Sequence, residues 1–321
     1  VRNGSQRTTY YPIAWLLTHW FFSDTERRTQ FQAYLANIAK GTDSVEAMER
    51  ATGMSLEQLR AALRRYTRAN LSRQRVAGRF PTPEITVTRL PRSANDLLLI
   101  NQRLKIGVPQ NDRAALGEEV ARLAARHGDD PLALLAAGHA GMHFGNRPAG
   151  ETALQRLLEI EPDNIEALQF LAQERLRQLR EADSDAEQNA LRREARDYIA
   201  RAYAAAQNDY RTLMLMTELR QGQPNYPNDN DMLAMGLTLD RAPQLPAVRF
   251  NYAAALAEKN EIDEAIAVLR PLANNPHGGG ASRYANRMIA SLEAGGTLSG
   301  LAQDDDDEVE DVPSDPDAPE T

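Results

Sequence analysis

The chain of 321 residues contains no cysteine, which excludes disulfides, thiolate metal ligands and a cysteine nucleophile and leaves the redox compartment open. Lysine is nearly absent too. Only Lys40, Lys105 and Lys259 appear among 37 lysines and arginines, a bias that points to a GC-rich bacterial genome rather than to a chemical need. No apolar run approaches the roughly 18 residues that a membrane span requires. The most apolar stretch, residues 10–22, contains His19 and reads as a buried helix, so no membrane span is expected. A Gly-rich phosphate loop, a nucleophile elbow and an acid/base pair selected by spacing are missing as well, so no catalytic residue and no cofactor is nominated. The chain starts at Val1 without a signal peptide, and is expected to be processed or a piece of a longer product.

The net charge of −8 is unevenly distributed. Residues 304–321 hold ten acids and no base, which leaves 37 bases against 35 acids, or +2, in the remainder. Residues 1–80 hold 13 bases and 6 acids. From residue 296 on, Gly, Ser, Asp and Pro dominate, and a segment with so little to bury and so much self-repulsion is expected to stay disordered.

Residues 1–80 read as four helices. The first is expected over residues 11–22 with Pro12 in its first turn, and Trp15, His19 and Trp20 as core. The second follows Ser23-x-x-Glu26 and stops at Lys40-Gly41; the third follows Asp43-x-x-Glu46 and stops at Gly53. The fourth opens with Ser55-x-x-Gln58 and sets Leu56, Leu59, Leu63 and Tyr66 on one face. Residues 81–96 form a joint: Pro81, Pro83 and Pro91 exclude a helix, while Ile85 and Val87 alternate with Thr86 and Thr88 as in a short strand.

Beyond the joint a helix-turn-helix pattern recurs at 34 residues. Its clearest copy is residues 131–162, with small and apolar residues at helical spacing on either side of Gly145-Asn146 and a stop at Pro162. Steps of 34 link Leu97, Pro131 and Ile165; after about 13 extra residues the register resumes at Thr212 and reaches Pro246. The insertion, around residues 181–189, is expected to lengthen both helices of the third unit. Asn111, Gly145 and Asn260 fall in the turns, where a left-handed backbone is useful. Gly138, Ala172 and Ala253 fall where paired helices approach. Pro224, Tyr226 and Pro227 enlarge the turn of the fourth unit, and a helix over residues 281–294 is expected to cap the stack.

This period is that of tetratricopeptide (TPR) repeats. The expected fold is therefore all-α: a TPR-type helical repeat superhelix over residues 97–295, preceded by the small helical block. In the usual TPR register the groove-facing positions are Leu135, His139, Met142 and His143, then Gln169, Gln173 and Arg177, then Phe250, Ala254 and Glu258. A mixed apolar and polar groove suits a protein or peptide partner, either an extended segment or a helix. His139 and His143 stand one helical turn apart, the spacing of a shared zinc site. The stretch reads His-Ala-Gly-Met-His, however, without the glutamate of a metallopeptidase and without a third ligand, so no metal is assigned. Arg60, Arg64 and Arg68, beside Arg65, make a basic face that fits phosphates or the chain's own acidic tail. Nucleic acid is not expected, because no aromatic platform interleaves these arginines.

The opening YYPIAWLLTHWFFSDTERRTQFQAYLANIAKG, followed by MSLEQLRAALRRY, resembles the closing helices of the gluzincin-like (peptidase MA-like) domain of certain bacterial TPR proteins. In that family a Pro-rich joint similar to FPTPEITVTRLP leads into TPR repeats. The resemblance implies a place in the bacterial cell envelope. It also implies a zinc-binding His-Glu-x-x-His helix upstream of the matching part, to which no residue here corresponds. Two functions are thus expected: a non-catalytic binding scaffold or, alternatively, the non-catalytic C-terminal part of an envelope zinc metallopeptidase.

Overall fold

The computed structural model describes residues 4–68, 82–275 and 279–298, with side chains from residue 10 onward. The acidic segment 304–321 and the arginines at 73, 75 and 79 lie outside the described residues. Among the described residues there are fifteen α-helices and no strand. Contacts divide the chain into two units, one of residues 84–248 and one of residues 1–83 with 249–321.

The first unit is a run of four antiparallel hairpins: α5 (Ala94–Ile106) with α6 (Arg113–Ala124), α7 (Pro131–Phe144) with α8 (Arg147–Ile160), α9 (Ile165–Glu181) with α10 (Asp185–Ala205), and α11 (Tyr210–Arg220) with α12 (Asp229–Arg241). Each first helix touches its own partner and the first helix of the next hairpin, so α5, α7, α9 and α11 pack in sequence order. Polar side chains start most of them. Asp130, Asn164 and Asp209 accept backbone N–H groups at the first turns of α7, α9 and α11, and Asn146 and Ser184 do so for α8 and α10. The insertion within the third repeat lengthens α9 to 17 residues and α10 to 21.

Small residues set the hairpin spacing. Leu97, Val120, Ala133 and Ala136 are buried in one cluster, Leu154, Leu157, Ala167 and Leu171 in the next, and Ala172, Ala195, Ile199 and Leu215 in a third. Each fully buried leucine contributes about 1.5–3 kcal/mol of transfer free energy. Gly138 lies directly against Leu154, and Gly141 faces Gly150 across the α7–α8 crossing so closely that a Cβ on Gly141 would stand 2.6 Å from the Gly150 Cα. Of the three turn residues expected to be left-handed, only Asn260 is, at φ 63°. Gly145 is extended at φ −153°, because Asn146 takes the role of helix cap and the two-residue link needs no reversal of hand. Asn111 belongs to a single 3₁₀ turn, Gln110–Asp112.

The joint is not a strand. Residues 82–91 have no regular structure, and Ile85 and Val87 are 76% and 89% exposed. An isolated extended segment with no neighbour to accept its ladder bonds stays irregular.

The second unit contains α1 (Gly4–Phe22), α2 (Thr25–Ala39), α3 (Ser44–Thr52) and α4 (Leu56–Tyr66), with α14 (Ile262–Ala273), α15 (Gly280–Glu293) and most of α13 (Pro246–Glu258). Trp20, Phe21, Met48, Leu59 and Leu63 form its N-terminal core. Three details differ from expectation. Helix α1 begins at Gly4 and runs through Pro12, which forfeits one backbone bond. Asp24 rather than Ser23 caps α2, since its carboxylate reaches the N–H groups of Glu26 and Arg27 while the Ser23 hydroxyl donates to Trp20. Trp15, expected in the core, is exposed, as is Leu56. The helix start at Asp43, the capping box at Ser55 and the left-handed stop at Gly53 are as expected, with Asp43 capping α3 through its own carboxylate. The turn after α2 is closed from the other end of the chain. Gly41 lies against Arg270 and Pro271 of α14 with no room for a side chain, and Asn274 donates to its carbonyl. Contacts thus place the last hairpin and α15 with the opening block.

Replacing Gly141 by Ala in the full chain is expected to cost about 1–3 kcal/mol through overpacking. That lowers the melting temperature by several degrees. Gly145→Ala, with an extended backbone and its nearest neighbour 3.8 Å away, is expected to leave it within a degree. Circular dichroism melting distinguishes the two.

Candidate functional site

The first-helix face of the four-hairpin unit carries a cleft of about 320 Å³ between α7, α9 and α11. His143 and Arg147 form one wall, Phe170 and Gln173 the floor, and Arg180 with Glu218 the far side. Gln173 and His143 are exposed, and Phe170 is half-buried. Beneath the cleft runs an ion-pair network. Glu174 is 4% exposed and accepts from Arg147 at 3.1 Å and from Arg177 at 2.6 and 3.0 Å. Arg177 also reaches Glu181 at 2.7 Å, and Arg180 meets Glu218 at 2.8 Å. The hydrogen bonds from Arg177 hold the Glu174 carboxyl below its ordinary range against the opposing effect of burial. Farther along the face, Lys105 of α5 pairs with Glu166 of α9 at 2.8 Å.

The nominated groove residues separate into two groups. His143 and Gln173 line the cleft with their side chains available, and Arg177 lines it while tied to Glu174 and Glu181. Leu135 is half-buried against the neighbouring apolar cluster. Met142 borders the cleft but is 3% exposed and belongs to the core. Gln169 is 4% exposed, and its amide donates to Asp209 at 2.6 Å and Thr212 at 2.9 Å, so it locks α9 to the cap of α11 instead of facing a ligand. Phe250, Ala254 and Glu258 belong to the other unit. There Phe250 is buried edge-on against Tyr284, Ala254 is half-buried and Glu258 is exposed. Arg60, Arg64 and Arg65 are exposed on α4, and Arg68 is exposed in the turn after it.

His139 is 8% exposed, in ring contact with Phe170 at 4.8 Å and His143 at 5.1 Å, and its Nδ1 has no hydrogen-bond partner. Burial pushes its pKa down to about 4, helped by His143, Lys105 and Arg211. His143 has one edge open to solvent, but its ring lies against Phe144 and Phe170, and this partial desolvation, followed by Arg147, lowers its pKa as well. The two rings are nearly perpendicular, at 79°, and among the described residues no group of three His, Asp or Glu side chains is placed to hold a metal ion. No described helix is long and apolar enough to cross a membrane.

A larger cleft of about 560 Å³ between α6, α7 and α8 is lined mostly by alanine and glycine. It lacks a cluster of polar side chains that would fix a ligand.

The nesting of the hairpins can now be set beside known proteins. A thermophilic TPR protein from Thermus thermophilus superposes on 63% of this chain and 99% of its own length, with a TM-score of 0.50 and 15% sequence identity. The fold is a TPR-type helical repeat. Neither a protein-family model nor a curated protein matches the chain. None of these comparisons extends the resemblance of the opening helices to a gluzincin-like domain.

The TPR register explains what spacing missed. Lys105 lies 34 residues before His139 and so occupies the same position one repeat earlier, a signal present in the sequence. Arg147 and Glu218 have no such signal, because they enter from the start of a second helix and the end of a shortened one.

Two consequences are measurable. His139 is neutral in the folded chain and protonates below pH 6.5 when unfolded. Its stabilising contribution is therefore complete above about pH 6.5 and is lost as pH falls toward 4. His139→Phe is expected to flatten the dependence of the melting temperature on pH across that window; an unchanged slope counts against the burial assigned to this ring. Arg177→Ala removes the main partner of buried Glu174 and is expected to lower the melting temperature, with a cost on the order of 1–3 kcal/mol. Gln173→Ala, at an exposed position, is expected to shift it by less than a degree.

Proposed function

We propose that the chain is a non-catalytic protein-binding scaffold whose partner, an extended or helical peptide segment, lies along the first-helix face of α5, α7, α9 and α11. The observation that carries this reading is the cleft at Phe170, Gln173 and His143. There a half-buried aromatic ring, an exposed amide and an imidazole with one open edge sit on a frame held by the ion pairs of Arg147 and Arg177 to buried Glu174. An amide and an imidazole both donate and accept, which suits the main-chain groups of an extended peptide, while the ring supplies apolar contact. Because the frame is set by helix packing, little ordering is needed on binding. The partner recognised is a protein or peptide, with no cofactor and no nucleic acid.

The exposed face of α1 supports a second reading. Tyr11, Trp15 and Phe22 lie on its outward side, and Tyr10 and Ile13 are half-exposed near its middle. Contiguous large apolar groups of this kind suit coverage by a further folded element. In this reading the chain is the non-catalytic C-terminal part of a bacterial cell-envelope metallopeptidase, as the resemblance implies, and the repeats position substrate. Finding no His-Glu-x-x-His helix encoded before Val1 removes it.

For the first reading, peptides selected on the immobilised full chain from a random display library provide the probe. Gln173→Ala with His143→Ala is expected to weaken the best of them at least tenfold with the melting temperature unchanged. Equal affinity for parent and double variant refutes the assignment of this cleft.

A further inference from the structure

The arginines of α4 and of the turn after it differ from the paired arginines that hold the four-hairpin unit together. In the four-hairpin unit Arg103, Arg147, Arg156, Arg175, Arg177 and Arg180 each meet a carboxylate, and in the opening block Arg50 is paired with Glu46. Arg60, Arg64, Arg65 and Arg68 are exposed and have no ion pair among the described residues. Their spacing puts Arg60 and Arg64 about one helical pitch of 5.4 Å apart on α4, with Arg65 beside them and Arg68 in the turn that follows the helix. Four guanidinium groups gathered there, with Glu57 in the first turn as the one carboxylate of α4, make a positive patch that attracts a polyanion.

The same chain supplies one. Residues 304–321 hold ten acids and no base, and the first eight residues of the segment, DDDDEVED, hold seven of them. The attachment point is favourable. Asn274 at the end of α14 donates to Gly41 between α2 and α3, α15 packs on α14, and both belong to the unit that contains α4. The 28 residues after Glu293 span on the order of 90 Å when extended, more than enough to reach across a helical block of this size. Tethering on that scale gives an effective concentration of about a millimolar. Even a weak multivalent ion contact is then largely formed within one chain.

We propose that the acidic C-terminal segment, residues 304–321, docks on the arginine face of α4 in its own chain and covers it. The α4 face is thereby an acidic-peptide site, occupied in cis, which a competing polyanion reaches only by displacing the segment. This is independent of the cleft at Phe170 and Gln173.

The test uses fluorescence anisotropy of a labelled synthetic peptide with the sequence of residues 304–321. The probe is titrated with the full chain and with a chain ending at Leu298, each checked for folding by circular dichroism. The shortened chain is expected to bind the peptide at least tenfold more tightly than the full chain at low salt, and to release it at about 0.5 M salt, where charges are screened beyond a few ångströms. Arg64→Glu with Arg68→Glu in the shortened chain is expected to abolish binding. Should the shortened chain misfold, the full-length chain with Asp304, Asp305, Asp306 and Asp307 all changed to Asn serves in its place, and is expected to bind the peptide more tightly than the parent. Equal affinity with and without the native segment, no binding by the uncovered chain, or undiminished binding by the charge-reversed variant overturns the proposal.

Discussion

Helices α7 and α9 are each gripped from three sides, by their own partner and by the first helices before and after them, and the whole four-hairpin unit depends on that arrangement. No single hairpin buries enough apolar surface to be stable by itself. Leu154 and Leu157 of α8 find their cover on α7 and α9, and Leu215 of α11 finds it on α9 and α10. The closeness this requires is supplied by missing side chains, at Gly138 against Leu154 and at Gly141 against Gly150. Stability here is a property of neighbours.

Close stacking has a polar cost, and the way that cost is met decides what remains for recognition. Gln169, Glu174 and Arg175 are all buried on α9, and each is satisfied by a group from another element or turn: Gln169 by Asp209 and Thr212, Glu174 by Arg147 and Arg177, Arg175 by Glu151 and Glu194. Burying such groups unpaired would be costly, so these contacts fix the angle and register between repeats. They also use up positions that a generic TPR register assigns to the groove. The surface left over is narrower and better defined, a strip with Gln173, His143 and Phe170 at its centre. It stands on a floor that resists rearrangement. The proposed recognition surface and the stabilising contacts thus share α9 but use adjacent residues.

Much of this was legible in the sequence because the underlying signals are local. The first helices begin at Pro131, Ile165 and Pro246 at the expected spacing, and the lengthening of α9 and α10 follows from the 13 extra residues between registers. Helix starts at Asp43 and Ser55 are set by side chains within three residues. What the sequence hid was whatever depends on a distant neighbour. Gln169 and Gln173 are the same residue type one turn apart, and only the position of Asp209 makes one structural and the other available. Phe250 resembles a groove residue until Tyr284 covers it, and Trp15 resembles core but is exposed among the described residues. The contact between Gly41 and α14 joins residues more than two hundred positions apart, and no period or cap announces it. The left-handed turns were overestimated for a related reason. A helix cap such as Asn146 can close a hairpin without them.

The most direct test of the nesting is amide hydrogen exchange on the full chain, followed by mass spectrometry of fragments from residues 84–248. Helices α7 and α9, enclosed on both sides by first helices, are expected to exchange slowest in the unit, through its cooperative unfolding, with α12 faster and residues 82–91 fastest. Exchange in α9 as fast as in residues 82–91 contradicts the account, because a helix that opens alone is not held by its neighbours.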